Sequence, residues 1–519
     1  MTTSSTIKRH RDAAALRRIW RLHFWVGVFA GPALVLLACS GLVILYSQPL
    51  NDWLNRDLYL VAEGPEAMSL DDQIAAAEQN VGADYTLDAV TPPAAVNRST
   101  RVDFVPPDGL SLPAGEANLI QVFIDPYTGR YLGQRSELSG LVGWANQLHR
   151  LFGNDGPHVH LPSLGHLIAP TSYPDPVIAV GVGNLWMELT AVWILVLIAS
   201  GVYLWWPRAI EAAKPLLKIR WVSGGRIRWR DMHALTGVVL AVVLICYVLS
   251  GLTWSRYWGE NWRAVSSIVT PSAEVEAPST PATMGDYDRL GRRIAWAATD
   301  DPVFASTTDS AVPQRLSFAD IDRLAKGEKM VPGYAIIPPA DVTADGETVY
   351  GSYTVVNAWP QKLSEQRALF LDQFTGRTIA NATAAEDGAL SQLTSFGIAM
   401  HMGNQFGLLT RVVATLACLG VLISALTGLL MWWRRRPAGR SGVPGRVSAG
   451  TGANAPRLVV IAVSGAAVGL ALIFPVFGVS LLAVLAVELV LAMRSRTRER
   501  RGASQSKSGE DELPVDVLR

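Results

Sequence analysis

The sequence predicts an α-helical polytopic membrane protein, with a four-helix core built from an internal repeat, a C-terminal two-helix hairpin and two α+β modules outside the membrane. Three observations support this class. Half of the 519 residues are hydrophobic, and many of them gather in long, nearly uncharged runs. These runs recur with a fixed spacing of histidines and glycines. The polar segments between the runs alternate apolar and polar residues, which is the pattern of half-buried β-strands.

The apolar runs are long enough to cross a bilayer, which takes about 20 residues in a helix. Four such runs are followed by a longer one that Phe474-Pro475 divides into two tightly connected spans. So many uncharged runs exclude a water-soluble protein. The predicted segments are a basic N-terminus (1–22); spans at 23–46, 185–206, 233–255, 408–433, 457–474 and 476–493; outer segments at 47–184 and 256–407; a basic loop (207–232); a linker (434–456); and a tail (494–519).

Arginine and lysine lie on one side of these spans. The N-terminus, the basic loop, the linker and the tail are each rich in arginine, and with six spans all four share a side. Because short basic loops stay in the cytoplasm, both termini are predicted to be cytoplasmic and the outer segments to lie on the opposite side. The net charge of +1 says little about partners. Membrane lipid is implied, and no nucleic acid is expected.

The spans contain an internal repeat. "RLHFWVGVFAGPALVLLACSGLVILY" and "RDMHALTGVVLAVVLICYVLSGLTWS" each place one glycine four residues and another eighteen residues after a histidine. The spans that return to the basic side repeat as well, because each carries a glycine four residues before a Trp-Trp pair. The repeated positions are His23, Gly27 and Gly41; His233, Gly237 and Gly251; Gly201 with Trp205; and Gly428 with Trp432.

The outer segments repeat too. "LIQVFIDPYTGRYLG" (119–133) and "RALFLDQFTGRTIA" (367–380) each predict a β-hairpin, with Gly129 and Gly376 supplying the positive φ of the turn. A helix precedes each hairpin, in "SLDDQIAAAEQNVG" and "SFADIDRLAKG", with a serine as N-cap and acidic residues in the first turn. Each outer segment is therefore predicted to be a small α+β module, and the first carries an insertion near 152–178.

Four histidines occupy matching places in the two repeats. His23 and His233 begin spans that run in the same direction, so their rings are predicted at equal depth near the cytoplasmic face. On the outer side, His401 precedes the fourth span, and His149 is its favoured counterpart because the residues around the two are alike. The histidines of the insertion stay open as alternatives to His149. They are His158, His160 and His166.

Polar side chains in or near a membrane are costly and usually functional. Two imidazoles near each face favour two b-type haems stacked across the membrane, with the haem iron held by His23 and His233 at one face and by His149 and His401 at the other. Two axial imidazoles leave no open position on the iron, which suits electron transfer. No catalytic residue is predicted.

Four glycines lie at the depths of these histidines, two near each face. One hypothesis is that they make room for the flat macrocycle. The other is that they only allow the helices to pack closely, and the sequence favours neither. The four are Gly41, Gly201, Gly251 and Gly428.

Other cofactor motifs are missing from the sequence. It has no HExxH, CxxC or P-loop pattern, and no GxGxxG on a strand–helix unit. Built-in nicotinamide or flavin binding is therefore not predicted.

The repeated motifs resemble those of the PepSY-associated transmembrane (PepSY-TM) family, which includes ferric-siderophore reductases of the bacterial inner membrane. The resemblance covers about 15–437 and depends on "LHFWVG", "DPYTGRYLG", "SGVYLWWPR", "RDMHALTGV", "DQFTGRT", "GIAMHMGNQFG" and "TGLLMWWRRRP" taken together. It implies two periplasmic PepSY-like modules, a haem-binding four-helix core, and electron passage from the cytoplasm to periplasmic Fe(III) chelates in iron uptake. The four histidines match the positions that such proteins carry.

The leading hypothesis is therefore a di-haem reductase of a bacterial inner membrane that acts on ferric-siderophore or other Fe(III) chelates. Its electron donor is open, with quinol and a cytoplasmic reductase as candidates, and neither the chelate nor the oligomeric state follows from the sequence. The alternatives are a non-enzymatic PepSY-type sensor or regulator that binds a peptide or peptidase, and a transporter of an iron chelate. The insertion and the two spans at 457–474 and 476–493 depart from the family pattern, and no role is predicted for those spans.

Overall fold

The computed structural model describes residues 2–107, 118–153, 156–206, 219–221, 225–273, 277–284, 299–308, 314–344, 347–357, 360, 362–436 and 457–510. The chain divides into two compact units. One comprises residues 18–446, and the other comprises residues 1–17 and 447–519.

The described elements are helical in the apolar runs and mixed in the polar segments. The helices are α1 (Thr2–Leu45), α2 (Ser47–Leu54), α3 (Arg56–Tyr59), α4 (Leu70–Glu78), α5 (Gly140–Leu151), α6 (Leu164–Ile168), α7 (Val182–Trp205), α8 (Gly225–Leu252), α9 (Arg256–Val269), α10 (Phe318–Gly327), α11 (Ala389–His401), α12 (Leu408–Arg435), α13 (Arg457–Ile473) and α14 (Pro475–Glu510). The strands are β1 (Thr86–Thr91), β2 (Thr100–Val105), β3 (Ile120–Ile124), β4 (Tyr131–Ser136), β5 (His158–Pro162), β6 (Val177–Gly181), β7 (Ser279–Thr283), β8 (Pro302–Phe304), β9 (Ala335–Ile337), β10 (Val342–Ala344), β11 (Glu347–Val349), β12 (Ser352–Asn357), β13 (Arg367–Asp372) and β14 (Thr378–Thr383).

The protein is a multi-pass membrane protein. In the part of the chain that the structure describes, five helical segments are long and apolar enough to cross a bilayer: Leu16–Leu45, Val182–Trp205, Ile227–Leu252, Leu408–Arg435 and Pro475–Arg494. This is one fewer than the six spans predicted. The remaining predicted span, 457–474, coincides with α13, which at 17 residues is shorter than these five. Phe474-Pro475 ends it, because the residue before a proline is pushed out of the helical conformation and Pro475 starts α14.

Four of these spans belong to the larger unit, where α8 packs against both α7 and α12. Small residues allow the close approach that holds membrane helices together. A Cβ atom on Gly420 would lie 2.6 Å from Cδ1 of Leu240, so α8 and α12 meet where α12 has no side chain. Other positions on these helices, such as Val242 and Leu408, leave large apolar side chains exposed. A surface that faces lipid requires such side chains.

A single eight-stranded antiparallel sheet joins the two polar segments, in the order β14-β13-β12-β9-β1-β2-β3-β4. The first segment supplies β1 to β4 and the second supplies β9 and β12 to β14. The halves meet at the pair Val90–Ile336 of β1 and β9. The structure therefore differs from the predicted pair of separate modules, because each half leaves one strand edge that the other half completes.

The predicted hairpins and caps are present. Strands β3 and β4 turn at Gly129, with φ of 67°, and β13 and β14 turn at Gly376, with φ of 70°. The side chain of Ser69 accepts a hydrogen bond from the backbone N–H of Asp72 at the start of α4. At the start of α10, Ser317 forms a capping box with Asp320. These local predictions from the two sequence repeats are confirmed.

One hydrophobic core serves both halves of the sheet. Side chains from the first half, among them Ile74 and Val102, are buried together with Ile321, Ile336 and Leu369 from the second half. The first half also completes a helix of the second. Both carboxylate oxygens of Asp71, in α4, accept backbone N–H groups at the start of α10, from Phe318 at 2.9 Å and from Ala319 at 3.0 Å.

Helix α9 follows α8 and is capped by α7. The buried carboxylate of Glu188 accepts hydrogen bonds from the backbone N–H groups of Tyr257 and Trp258, both at 3.0 Å. The side chain of Asn184 accepts the N–H of Arg256 at 2.7 Å. The first N–H groups of a helix have no partner within it, so these bonds explain a buried carboxyl group within a membrane span.

The insertion of the first repeat forms a small hairpin. Strands β5 and β6 pair antiparallel, and α6 lies between them in sequence. In the smaller unit, α13 and α14 pack against each other. Phe474 and Phe477 are buried where the two helices connect.

Candidate functional site: two facing histidine pairs

The larger unit has two ends, named here by what they carry. The basic end contains Arg18, Arg21 and Arg434 to Arg436, and the sheet end leads into the eight-stranded sheet. Each end holds a pair of facing histidines. Both pairs are built from residues of both repeats.

The basic-end pair consists of His23 from α1 and His233 from α8. Their ring centroids are 6.3 Å apart, and the ring planes are nearly perpendicular at 77°. Both residues sit in the first turns of apolar stretches, Leu16–Leu45 and Ile227–Leu252. The equal offsets in the two repeats therefore place the rings at one level, as predicted.

The sheet-end pair consists of His149, near the end of α5, and His401, the last residue of α11. Their centroids are 6.2 Å apart and the planes meet at 81°. Each helix ends in a turn that redirects the chain to a following element. Phe152 and Gly153 have φ of 48° and 80° after α5, and Gly403 has φ of 75° after α11. The geometry of the sheet-end pair thus repeats that of the basic-end pair.

The histidines of the insertion lie elsewhere. His158 and His160 are on β5, paired with Gly181 and Ala179 of β6. His166, in α6, bonds through Nδ1 to the carbonyl oxygen of Tyr173 at 2.9 Å. The structure therefore brings His149, and none of these three, opposite His401.

Each of the four rings is held by a Ser-Gly or Thr-Gly pair on a neighbouring helix. The hydroxyl group lies within hydrogen-bond distance of Nδ1 in every case. The pairs are His23 with Ser200 (3.0 Å), His233 with Thr427 (3.3 Å), His149 with Ser40 (3.1 Å) and His401 with Ser250 (3.1 Å).

The hydrogen bonds fix the tautomer of the rings. Nδ1 of His23 also faces the carbonyl oxygen of Leu197 at 3.1 Å, and Nδ1 of His233 faces that of Ser424 at 2.9 Å. A carbonyl oxygen only accepts, so Nδ1 must carry the hydrogen. His149 and His401 bond through Nδ1 to the hydroxyl groups of Ser40 and Ser250, which themselves donate to helix carbonyls and therefore accept from the ring. Nε2 of each ring is therefore left with a free lone pair.

The hydroxyl groups agree with this assignment. Each donates its own hydrogen to a carbonyl of its helix, so towards the ring it acts as an acceptor. The bonds run from Ser40 to Leu36, from Ser200 to Leu197, from Ser250 to Cys246 and from Thr427 to Ile423. Within the described part of the chain, no hydrogen bond to Nε2 of these four rings is found.

The four predicted glycines each meet one of these rings. A Cβ atom on Gly201 would lie 3.0 Å from Cε1 of His23, and the other three distances are of the same size. They are 3.2 Å from Gly41 to His149, 3.1 Å from Gly251 to His401 and 3.3 Å from Gly428 to His233. The glycines thus make room for imidazole rings on the neighbouring helix. Room for a macrocycle, which was one of the two hypotheses, stays a prediction.

The histidines of the sheet-end pair lie outside the membrane-spanning segments, and both favour the neutral form. Burial lowers the pKa of His149 from its ordinary value, and Arg150 adds to this. Burial also lowers the pKa of His401, to about 4, with a contribution from the charge of His149. A neutral imidazole is the form that binds a metal.

The spacing of the rings suits an iron atom between them. An imidazole nitrogen binds a metal at about 2.0 Å, and the ring centre lies about 1.1 Å behind that nitrogen, so two rings on opposite sides of one metal have centroids about 6.2 Å apart. The observed values are 6.3 and 6.2 Å. Among the described residues, no group of three or more His, Cys, Asp or Glu side chains is arranged to hold a metal ion. Two ligands per site are what haem requires, because the macrocycle supplies the other four.

The surroundings of the basic-end pair also suit a bound group. Gly237 lies one turn from His233 on the same face of α8, and no atom lies within 4 Å of where its Cβ would be. Trp229 and Trp205 lie one turn from His233 and Gly201, and the indole N–H of each is buried with no acceptor among the described residues. Buried donors nearly always have a partner. The residues present therefore fit haem, with space beside the rings and donors that lack an acceptor.

Two features of the sheet-end pair were missed by sequence reasoning. The ring of Tyr247, in α8, lies 4.9 Å from that of His401, centroid to centroid, and tilted by 40°. Sγ of Cys418 lies 3.9 Å from the position of a Cβ on Gly41, beside His149. Neither residue has an equivalent in the other repeat, so the repeat pattern that identified the histidines gives no signal for them.

Comparison with known proteins identifies one family. A family model described as the PepSY-associated TM region matches residues 20–435, which include all four facing histidines. A search of curated proteins finds no match.

Proposed function

The chain belongs to the PepSY-associated TM region family, and from that premise we propose that it is a di-haem reductase of a bacterial inner membrane, passing electrons to Fe(III) chelates in the periplasm. The observation that carries this proposal is that two histidine pairs with the same ring spacing and ring angle lie at opposite ends of α1 and α8. From His23 to Gly41, which touches His149, α1 rises about 27 Å over eighteen residues, close to the thickness of the hydrocarbon core.

The protein's own residues would hold each haem in the same way. His23 and His233 would bind one iron through Nε2, and His149 and His401 the other. The Ser and Thr hydroxyl groups and helix carbonyls fix each ring through Nδ1, and such bonds orient a ligand and make it a stronger donor. Bound in these places, two haems would supply one-electron transfer with no open position for oxygen.

The sheet end would face the periplasm and the basic end the cytoplasm, because arginine-rich segments flank the basic end. Electrons would enter at the basic-end pair, from quinol or from a cytoplasmic reductase. The sheet-end pair lies where the chain leaves the membrane for the sheet. Iron(II) is less strongly held than iron(III) by hard oxygen ligands, so reduction there would release it.

The first experiment is an oxidised-minus-reduced absorption spectrum of the detergent-purified chain, with haem quantified per chain. We expect two b-type haems. No haem, after expression with haem supplied, would contradict the proposal and favour a PepSY-type sensor or regulator.

Substitution of the histidines tests the two sites separately. His23→Ala and His233→Ala should each remove the same one of the two haems, and His149→Ala and His401→Ala should each remove the other. His160→Ala is the matched control, since this exposed ring lies on β5 opposite Ala179 and belongs to neither pair, and it should keep both haems. Loss of both haems from every single change would contradict two independent sites.

A further inference from the structure

In the part of the chain that the structure describes, Arg411 is a charged residue without a partner in a membrane span. It lies in the first turn of α12, whose next charged residue is Arg434. The side chain is half-buried, and its Nε is buried with no hydrogen-bond acceptor. Within the described residues its guanidinium forms no ion pair and no ring contact. An arginine at the end of a span often reaches out to water, but here Nε stays buried and no described residue accepts its hydrogen.

The local electrostatics make this arrangement unfavourable without an anion. The N-terminus of a helix carries partial positive charge, and acidic residues are preferred in its first turn. Helix α12 has no acidic residue there and has no side-chain cap on Gly407. The guanidinium therefore adds a full positive charge to the positive end of a helix.

Arg411 stands beside the sheet-end pair. Gly403, two residues after His401, packs against it, because a Cβ atom on Gly403 would lie 3.4 Å from Cα of Arg411. Cys418 lies two turns further along the same face of α12, where it neighbours Gly41 and hence His149. Arg411 therefore sits about 10 Å outward from Cys418, at the rim of the sheet-end pair.

A second arginine is next to the sheet-end pair in sequence. Arg150 directly follows His149 and is exposed. In the described part of the chain neither Arg150 nor Arg411 forms an ion pair with a carboxylate. Planar guanidinium groups bind carboxylates through two parallel hydrogen bonds.

We propose that Arg411 is an oxyanion-binding site for a carboxylate at the rim of the sheet-end pair. The carboxylate comes either from a propionate of the haem held there or from the ferric chelate. This inference rests on the proposed function, since both sources belong to it.

The test compares Arg411→Gln and Arg411→Lys with the wild-type chain and with Arg130→Gln, a control at an exposed turn of the sheet. Two quantities are measured on each purified protein. One is haem content with the midpoint potential of each haem. The other is binding of gallium(III) citrate, a carboxylate-rich and redox-inert stand-in for a ferric chelate, followed by calorimetry.

The outcomes separate the two sources. If the carboxylate is a propionate, Arg411→Gln removes one haem or lowers one of the two midpoint potentials, because a positive charge favours the reduced form, and gallium(III) citrate binding is unchanged. If it belongs to the chelate, haem is unchanged and the Kd for gallium(III) citrate rises at least about tenfold, the size expected for one charge-assisted bond. Arg411→Lys should fall between wild type and Arg411→Gln in either case.

Arg411→Gln that matches Arg130→Gln in both measurements would overturn the proposal. A chain without haem would overturn the proposed function instead. The gallium(III) citrate measurement would then show by itself whether Arg411 binds a carboxylate. If Arg411→Gln does not fold, the comparison is made with Arg411→Lys.

Discussion

At the scale of single residues, the Ser-Gly and Thr-Gly dipeptides have two linked tasks. The first residue supplies a hydroxyl group to Nδ1 of a histidine on another helix, and the second leaves room for the Cε1 edge of the same ring. All four occurrences at the sites follow this rule, in both repeats and at both ends. A pair of adjacent positions thus fixes both the tautomer and the distance of each ring.

A methyl group at Gly201 is expected to disturb the basic-end pair. Its Cβ would lie 3.0 Å from Cε1 of His23, so the ring or helix must shift by a few tenths of an ångström. Overpacking of this kind costs about 1–3 kcal/mol. We expect Gly201→Ala to lower the occupancy of one haem and Gly201→Leu to abolish it, as measured by haem per chain.

The control for this series is Gly469→Ala on α13, where no atom lies within 4 Å of the added Cβ. It should bind haem as the wild type does. Full occupancy of both haems in Gly201→Leu would show that the ring position is not set by this glycine.

The repeat in the sequence predicted which histidines and glycines lie together, but it did not predict the other residues around them. Equal offsets from His23 and His233 indicated which histidines and glycines would share a level. The role of the serine before Gly41 could not be seen, because a hydroxyl that bonds to a distant helix leaves no periodic signal. Arg411 was not predicted as a site residue for a similar reason, since a single arginine in an apolar run belongs to no repeated pattern.

At the scale of elements, α11 positions His401, and its start lies in an acidic environment. Gly388 caps the helix, and Asp387 directly precedes it. Burial raises the pKa of Asp387 to about 7, with the charges of Asp301 and Glu386 adding to this. Burial likewise raises the pKa of Asp301 to about 6, with Asp300 adding. These carboxylates therefore ionise together near neutral pH.

The raised pKa values of Asp387 and Asp301 predict that the free energy of unfolding falls as the pH rises. A carboxyl group whose pKa is higher in the folded than in the unfolded chain stabilises the fold while it is protonated, and that contribution is lost between about pH 4 and 7. Asp387→Asn removes the charge, so it should raise the unfolding temperature at pH 8 by clearly more than at pH 5. Thermal unfolding followed by circular dichroism measures both.

The comparison is with Asp84→Asn, which changes an exposed carboxylate at a distance from the cluster in sequence. Its difference from the wild type should be small at both pH values. An unfolding temperature of Asp387→Asn that stays below the wild type at pH 8 would contradict the prediction.

Element boundaries were the part best predicted from local chemistry. The capping serines Ser69 and Ser317 and the turn glycines Gly129 and Gly376 act within a few residues, so their effect is visible in the sequence. The predicted span 457–474 and helix α13 agree in position. Because the helix ends before Pro475, it is shorter than the five spans.

At the scale of the whole molecule, the eight-stranded sheet makes one body of two repeats. The sequence predicted two modules because each repeat carries its own helix and hairpin, and nothing in the pattern of either strand indicates the pair Val90–Ile336 that joins them. The shared core and the cap that Asp71 places on α10 add to that contact.

Ile336 tests whether the two halves are coupled. Its side chain is fully buried, so Ile336→Ala should cost about 2–5 kcal/mol of stability. Hydrogen exchange measured by mass spectrometry should rise in β2 and β3 as well as in β12 and β13. Val331→Ala, at an exposed position nearby in the chain, is the control and should leave both halves unchanged. A rise confined to the second half would indicate two independent modules.

The pairing of β1 with β9 has a consequence for the origin of the protein. Val90 pairs with Val102, which pairs with Val122, and Ile336 pairs with Val355, which pairs with Leu369. Val122 and Leu369 each lie three residues before the aspartate of the repeated turn, so Val90 and Ile336 are equivalent positions, and the observed pair joins them. Two identical chains related by a two-fold axis would pair these strands antiparallel in the same register. An ancestor of half this length would therefore have built the same sheet, and the same facing histidines, as a homodimer.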